Sequence, residues 1–297
     1  MPLSLADAGR LSQDVLVKGV IETIIEESAV LNYLPFVTLN GNSLRYEQEV
    51  SLGDIDFYGV GDTWTESALV VQEKTAKLSI LGGDADVDAF LQQTYSNVND
   101  LKALAIQKKA KALAQTFSDA FFNGNSTADP LQFDGLAVLT SGAQTLAVGA
   151  NGGPLTLDLM DQVIDMVKPG KPAALFMSKR SRRKLSSLRR ASGNLLETGV
   201  DAFGRRAMMY DGIPIEVDEH IFDTEVQGTS GAVCSSIYAV QFGFETGVCG
   251  LQNGGITVQP IGTLETKDAW RTRIKWYTAI ALFRAIAVSR LKGITGA

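Results

Sequence analysis

The chain has one histidine, His220, which closely follows Glu216, Asp218 and Glu219. An imidazole beside carboxylates is half of a hydrolytic triad, in which the acid orients the base and the base deprotonates a hydroxyl or thiol. The other half is missing. The nearest approach to a nucleophile elbow, Gly228-Thr229-Ser230-Gly231, lacks the required spacing and falls in a loop. His220 therefore reads as a member of a surface ion pair. Gly59-Val60-Gly61 lacks the third glycine of a dinucleotide loop, and no P-loop pattern occurs. Cys234 and Cys249 are too far apart for a zinc knuckle, and one histidine cannot complete a zinc set. Asp84, Asp86 and Asp88 open like a calcium loop, but Ala89 stands where glycine must bend it and Tyr95 where a bidentate glutamate belongs. On a strand these carboxylates share one face and form an acidic surface edge. Neither metal nor cofactor is expected.

The strongest charged feature is Lys179–Arg190, where Lys179, Arg180, Arg182, Arg183, Lys184, Arg189 and Arg190 put seven cations in twelve residues with no acid among them. Such a run is a phosphate-binding patch, a subunit contact or a solvated helix face. Without aromatic residues for stacking, single-stranded nucleic acid is a poor partner. Helical spacing sets Lys179, Arg183 and Arg190 along one stripe, with Leu185 and Leu188 anchoring elsewhere. Charge is segregated along the chain. Residues 1–100 hold 16 acidic and 5 basic side chains, residues 101–210 hold 8 and 15, and the last 87 hold 9 and 7. Opposite charges separated in this way can steer one copy of a subunit onto the next.

The elements that must carry these groups follow from periodicity. Residues 11–28 place Leu11, Val15, Leu16, Ile21, Ile24 and Ile25 near helical spacing, ahead of Pro35. Asn40-Gly41-Asn42 marks a turn, and Leu44, Tyr46 and Val50 then alternate with Arg45, Glu47 and Glu49. A Gly- and Asp-rich loop over 53–61 follows, and alternation resumes at Val70, Ala76, Leu78 and Ile80, which predicts a long hairpin. A hairpin with so little apolar surface needs something to lie on. Asn97 or Asn99 can cap a long helix ending near Phe122, with Gln107, Lys108, Lys111, Gln115 and Ser118 on its polar stripe. Gly124 and Asn125 end it. Strands are predicted at 135–140, 173–177, 213–217, 237–242, 256–260 and from Arg271 onward past Ala279, and helices at 156–168 and 178–190.

With 297 residues, 45% hydrophobic and 20% charged, the chain has the composition of one large globular domain or two modest ones. The apolar run 277–288 is broken by Arg284 and is too short for a membrane helix, and the first residues carry no secretory pattern. A net charge of −6 argues against a general nucleic-acid coat.

Three stretches in their order carry a family resemblance: FSDAFFNGNSTADPLQFDGLAV (Phe117–Val138), MYDGIPIEVDE (Met209–Glu219) and DAWRTRIKWYTAIAL (Asp268–Leu282). Together with the strand, arginine-rich helix and glycine-punctuated loop of Lys171–Glu219, the chain resembles the major capsid proteins of tailed bacteriophages, of the Hong Kong 97 type. That resemblance implies an α+β fold with an N-terminal arm (1–39), an extended hairpin loop (40–82), a peripheral domain with a spine helix (83–150 and 256–297) and an axial domain (151–255). It implies a structural protein rather than an enzyme. The subunit would form pentamers and hexamers and close an icosahedral virion shell around double-stranded DNA in the host cytoplasm, without reading sequence and without a membrane. A separate scaffolding protein, a portal and a decoration protein are the implied partners. Arg45, Glu47, Glu49, Asp54, Asp56, Lys74 and Lys77 on the hairpin, and Lys179, Arg182, Arg183 and Arg190 on the helix, are the candidate subunit contacts. Some relatives cross-link the loop through a lysine, for which Lys74 and Lys77 are the positions here. A cargo compartment of the encapsulin type, with the same fold, is the alternative. An α/β enzyme with a deep pocket is a third reading, and the lack of a base–nucleophile pairing counts against it.

Overall fold

The computed structural model describes residues 20, 23–24, 28–51, 55–64, 70–95, 101–193, 196–200, 206–229 and 231–296. The predicted helix at 11–28 lies largely outside them, as do Asn97 and Asn99; Val20 and Ile24 are described, and both are buried. The strands run in chain order as β1 (Phe36–Thr38), β2 (Ser43–Ser51), β3 (Val70–Lys77), β4 (Ser79–Asp88), β5 (Thr145–Ala147), β6 (Ala174–Met177), β7 (Glu197–Val200), β8 (Arg206–Tyr210), β9 (Ile213–Val217), β10 (Glu225–Gln227), β11 (Ala232–Val240), β12 (Val248–Gln252), β13 (Thr257–Thr263), β14 (Ala269–Leu282) and β15 (Val288–Thr295).

The spine helix, Leu101–Asn123, is where the two main sheets meet. Ile106, Ala110, Leu113, Phe117 and Phe121 recur at three and four residues and are buried, the stripe that a helix needs to pack on one side. The buried face differs from the sequence expectation at one place. Ser118 is buried, hydrogen-bonded to Ser28 at 2.7 Å. At the C-terminal end the aromatic side chains diverge toward different sheets. Phe117 packs on Trp276 of β14, with ring centroids 4.9 Å apart, while Phe122 packs on Phe176 of β6 and Tyr238 of β11 at 5.7 and 5.6 Å.

The first sheet is built on β14. It pairs antiparallel with β4 over Ala269–Thr278 and with β13 over Trp270–Lys275, so β4 and β13 must take opposite edges. Over Thr278–Leu282 it pairs with β12, which pairs in parallel with β1. Strand structure continues to Leu282, as expected of the stretch past Ala279. The second sheet has the order β5-β15-β11-β6-β9-β8-β7, with β10 also on β11. β6 is buried at every position because helices cover both faces: the spine helix lies under Phe176 and Tyr238, and the helices Leu157–Asp165 and Lys179–Ala191 pack against the opposite side chains Leu175, Met177, Ile237 and Ala239.

Three expectations change. Residues 135–140 form one helical turn, Leu136–Leu139, rather than a strand. Gly135 donates to the Gly124 carbonyl at 2.8 Å and folds the segment back onto the spine helix, where a β-carbon on either glycine would strike the Ala120 carbonyl. Ile80 belongs to β4 in the first sheet, so the returning limb of the hairpin ends at Lys77. The expected domain boundaries also cut across the sheets. β5 and β15, placed with the peripheral part, pair into the sheet of β11, and β12, placed with the axial part, pairs with β14.

Truncating Phe122 to alanine removes the aromatic contact between the spine helix and the second sheet. Urea denaturation of the unassembled subunit should show a loss of ~3–5 kcal/mol; a loss under ~1 kcal/mol would show that this joint is not needed.

Candidate functional site

The hairpin β2–β3 is a two-stranded ribbon paired from Ser43↔Lys77 to Ser51↔Val70, with one register shift between Glu49 and Ser51. The predicted alternation places Leu44, Tyr46 and Ala76 on the face that packs against the core, with Arg45, Glu47, Lys74 and Lys77 exposed. The base is fastened to the body at the end of β14. Tyr46 packs at a tilt against Phe283 at 5.0 Å between centroids, and Gln48 Nε2 donates to the Leu282 carbonyl at 3.3 Å. Burial raises the Tyr46 phenol above its ordinary range. Outward, Glu47 stands directly across from Glu73, a repulsive pair relieved by Arg45, 3.7 Å from Glu73. At the tip Ile55, Phe57, Val60 and Trp64 are almost wholly exposed, and Tyr58 stacks on Trp64 at 4.4 Å. Asp56 accepts from the Phe57 N–H at 2.9 Å. Asp54 and the Glu49 side chain lie outside the described residues.

The arginine-rich helix Lys179–Ala191 begins where Ser178 accepts from the Ser181 N–H at 3.2 Å, an N-cap that also hydrogen-bonds Asp223 at 2.6 Å. Its cations are not the continuous stripe that spacing suggests. Lys179 is paired with Glu219, whose carboxyl it holds below the usual range. Arg180 Nε lies 3.3 Å from Asp223, the Arg182 guanidinium reaches Met208 Sδ at 3.9 Å, and Arg189 covers the Tyr210 ring at 5.4 Å. Arg183, Lys184 and Arg190 have no carboxylate partner among the described residues. Four of the seven cations are thus used inside the subunit.

A third charged constellation, which sequence reasoning met only in halves, lies on the outer face of β4 and β14. Cross-strand register sets Asp84 opposite Arg273 and Asp86 opposite Arg271. Both pairs are bidentate: Arg273 Nε and Nη2 reach Asp84 at 2.7 and 2.8 Å, and Arg271 reaches both Asp86 oxygens at 2.7 Å. Lys267 adds a contact to Asp86 at 3.0 Å. Asp88 caps the short helix Ala89–Tyr95 through the N–H groups of Phe90 and Leu91. The expected acidic edge is therefore a neutralised ladder. The signal was present as two period-2 runs, Asp84/86/88 and Arg271/Arg273/Lys275, but only the register joins them. The guanidinium hydrogen bonds hold both carboxyls below the ordinary value of 3.8.

His220 departs from a surface pair. Its Nδ1 lies 2.9 Å from Asp218, which is 5% exposed, and its carbonyl accepts from Asn123 at the end of the spine helix at 2.8 Å. Among the described residues no hydroxyl or thiol hydrogen-bonds the ring, so the dyad is a joint between β9 and the spine helix. Cys249 is buried and its thiol is pushed up to about 12 by loss of solvent, which keeps it protonated and unreactive. Among the described residues no group of three His, Cys, Asp or Glu side chains could hold a metal, and no helix is long and apolar enough to cross a membrane.

The phage capsid family model matches residues 8–269. Among solved structures, the SrpI encapsulin of Synechococcus elongatus aligns with a TM-score of 0.71 at 17% identity, over 90% of this chain and 87% of that one. The capsid of a native GTA particle aligns at 0.65 and 15% identity over 91% of each chain, and a chain of Microbacterium phage Oxtober96 at 0.59 and 17% over 90% of each. No curated protein sequence matches significantly.

The Asp–Arg ladder has an acid signature of definite sign. Both carboxyls are depressed in the folded state, so their contribution is complete above the ordinary carboxylate value and is lost as pH falls below about 4 toward the folded values. Replacing Arg271 and Arg273 with methionine should flatten the acid limb of a thermal-melting profile taken down to about pH 3. Equal acid sensitivity in both proteins would contradict the assignment.

Proposed function

Because the chain belongs to the phage capsid family, we propose that it is the major capsid subunit of a tailed double-stranded DNA phage. It is a shell protein with a Hong Kong 97-type fold, and family and fold are those of structural capsid proteins rather than enzymes. The family match over residues 8–269 is the observation that carries the proposal. Repeated contacts between identical copies close the shell through pentamers and hexamers in the host cytoplasm, and a scaffold, a portal and a decoration protein complete the virion.

The hairpin supports this reading physically. Ile55, Phe57 and Trp64 are 99, 103 and 78% exposed, a cost that a monomer in water gains nothing from and that a neighbouring copy removes. We place the subunit contacts on Arg45, Glu47, Glu49, Asp54, Asp56, Lys74 and Lys77 of the hairpin. On the helix, Lys179 and Arg182 are engaged internally, which leaves Arg183 and Arg190 as the outward contacts for a neighbour's acidic surface. The two sheets divide the subunit: β4 and β12–β14 with the spine helix form the peripheral part, and the sheet around β11 forms the axial part.

The encapsulin alignment at a TM-score of 0.71 favours a second reading, a compartment that holds protein cargo. Particle contents separate the two: nuclease-protected DNA marks the phage shell, and co-purifying protein with no nucleic acid marks the compartment.

Deleting the hairpin tests the assembly claim. Leu78 N–H donates to the Asn42 carbonyl at 2.8 Å, so residues 43–77 can be replaced by a two-residue turn without opening the body. The deletion should retain a cooperative melting transition, weakened by ~1–3 kcal/mol for the lost Tyr46 and Gln48 contacts. Sedimentation should show no particle-sized species. Normal particles from this variant would remove the hairpin from the assembly.

A further inference from the structure

We propose that the cavity beside the first turns of the arginine-rich helix binds a phosphate-type oxyanion. It encloses about 210 Å³ and is lined by Arg180, Ser181, Arg183, Lys184 and Ser187, with the Thr295 end of β15 closing the far side. A single water needs only ~10–15 Å³ by a comparable measure, so the space admits a tetrahedral anion with part of its hydration. Arg180, Arg183, Lys184 and Ser187 fall at i, i+3, i+4 and i+7, which puts them on one helix face.

The charge of this cavity is uncompensated. Not one carboxylate lines it. Arg180 lies 3.3 Å from Asp223 as an ion pair and gives an N–H to the Ile294 carbonyl at 3.3 Å, which fixes the guanidinium against the strand end. Arg183 and Lys184 have no carboxylate partner among the described residues, so at least two positive charges face a solvent-filled recess. The donor set selects the ligand class. Guanidinium forks offer paired N–H groups, Lys184 a point charge, and Ser181, Ser187 and Thr295 neutral hydroxyls. Donors of three kinds converging on one volume suit an oxyanion with several acceptor atoms, and the positive end of the thirteen-residue helix adds to the attraction. Free inorganic phosphate and the phosphodiester backbone of duplex DNA share this chemistry. The site does not depend on the shell assignment.

The test titrates the full chain calorimetrically with sodium phosphate, against sodium chloride at matched ionic strength, and repeats the titration in the presence of a short DNA duplex. Phosphate should bind one site per chain. The Arg183→Gln, Lys184→Gln double variant should weaken it at least ~10-fold, the effect of losing one charge-assisted hydrogen bond, whereas Lys108→Gln, which removes one exposed charge on the spine helix, should change it by less than ~2-fold. Competition by the duplex assigns the site to backbone phosphates, and its absence assigns it to the free anion. Equal weakening by Lys108→Gln would reduce the effect to diffuse attraction and overturn the site. Should the double variant fail to fold, the unmodified chain still decides: a melting temperature no higher in phosphate than in matched chloride overturns the proposal.

Discussion

Everything in this subunit hangs on the aromatic end of the spine helix. Phe117 and Phe122, five residues apart, contact different sheets, and Phe117 also meets Phe36 at 6.2 Å and Phe133 at 5.9 Å. Trp276 is fully buried between Phe36 and Phe117, so the segment before the hairpin, the helix and the longest strand share one cluster. Large rings supply most of the area that a core can bury, and their offset and edge-on packing fixes relative orientation as well as energy. Gly250 shows how tight this cluster is, since a β-carbon there would overlap the Phe36 ring. The two sheets are therefore oriented by one helix, and the hairpin is oriented by the strand that this helix holds.

The polar groups follow the same hierarchy. Those near the joints are spent inside the chain. Asn123 holds the His220 carbonyl, Tyr33 donates to Glu216 at 2.8 Å, and Arg290 pairs with Glu225 at 3.0 Å beside β11. The acidic run on β4 is matched by guanidinium forks on β14. Among the described residues, the apolar side chains at the hairpin tip and cations on one face of the arginine-rich helix are left without an internal match. A shell subunit of the proposed kind needs this distribution: charges matched in pairs within the body, and a limb whose apolar residues are not covered.

Much of this architecture was legible because periodicity and punctuation agree. The spine helix, the strand over 174–177, the helix capped by Ser178 and the hairpin limbs all carry the right spacing between turn residues. The resemblance of Phe117–Val138 and Asp268–Leu282 to capsid proteins then ordered them. What could not be read depends on register and tertiary contact. Four apolar residues at 136–139 suit a strand or a helical turn equally, and the close approach of Gly124 and Gly135 decides between them. The pairing of Asp84 with Arg273 spans 189 residues and exists only in one register of β4 on β14. The arginine stripe was visible, but its neutralisation by Glu219 and Asp223 was not, because those acids come from a loop brought back by β9. Short strands such as β5 and β10 have no sequence signal of their own; they exist because β15 and β11 offer them an edge.

The central claim is that copies of this chain close a shell. Cryo-electron microscopy of the purified full-length protein tests it most directly. Icosahedral particles are expected, their asymmetric unit filled by this fold and each hairpin tip buried against an adjacent copy. A chain that remains monomeric or forms only small open oligomers at high concentration, with Ile55, Phe57 and Trp64 still in solvent, would contradict it.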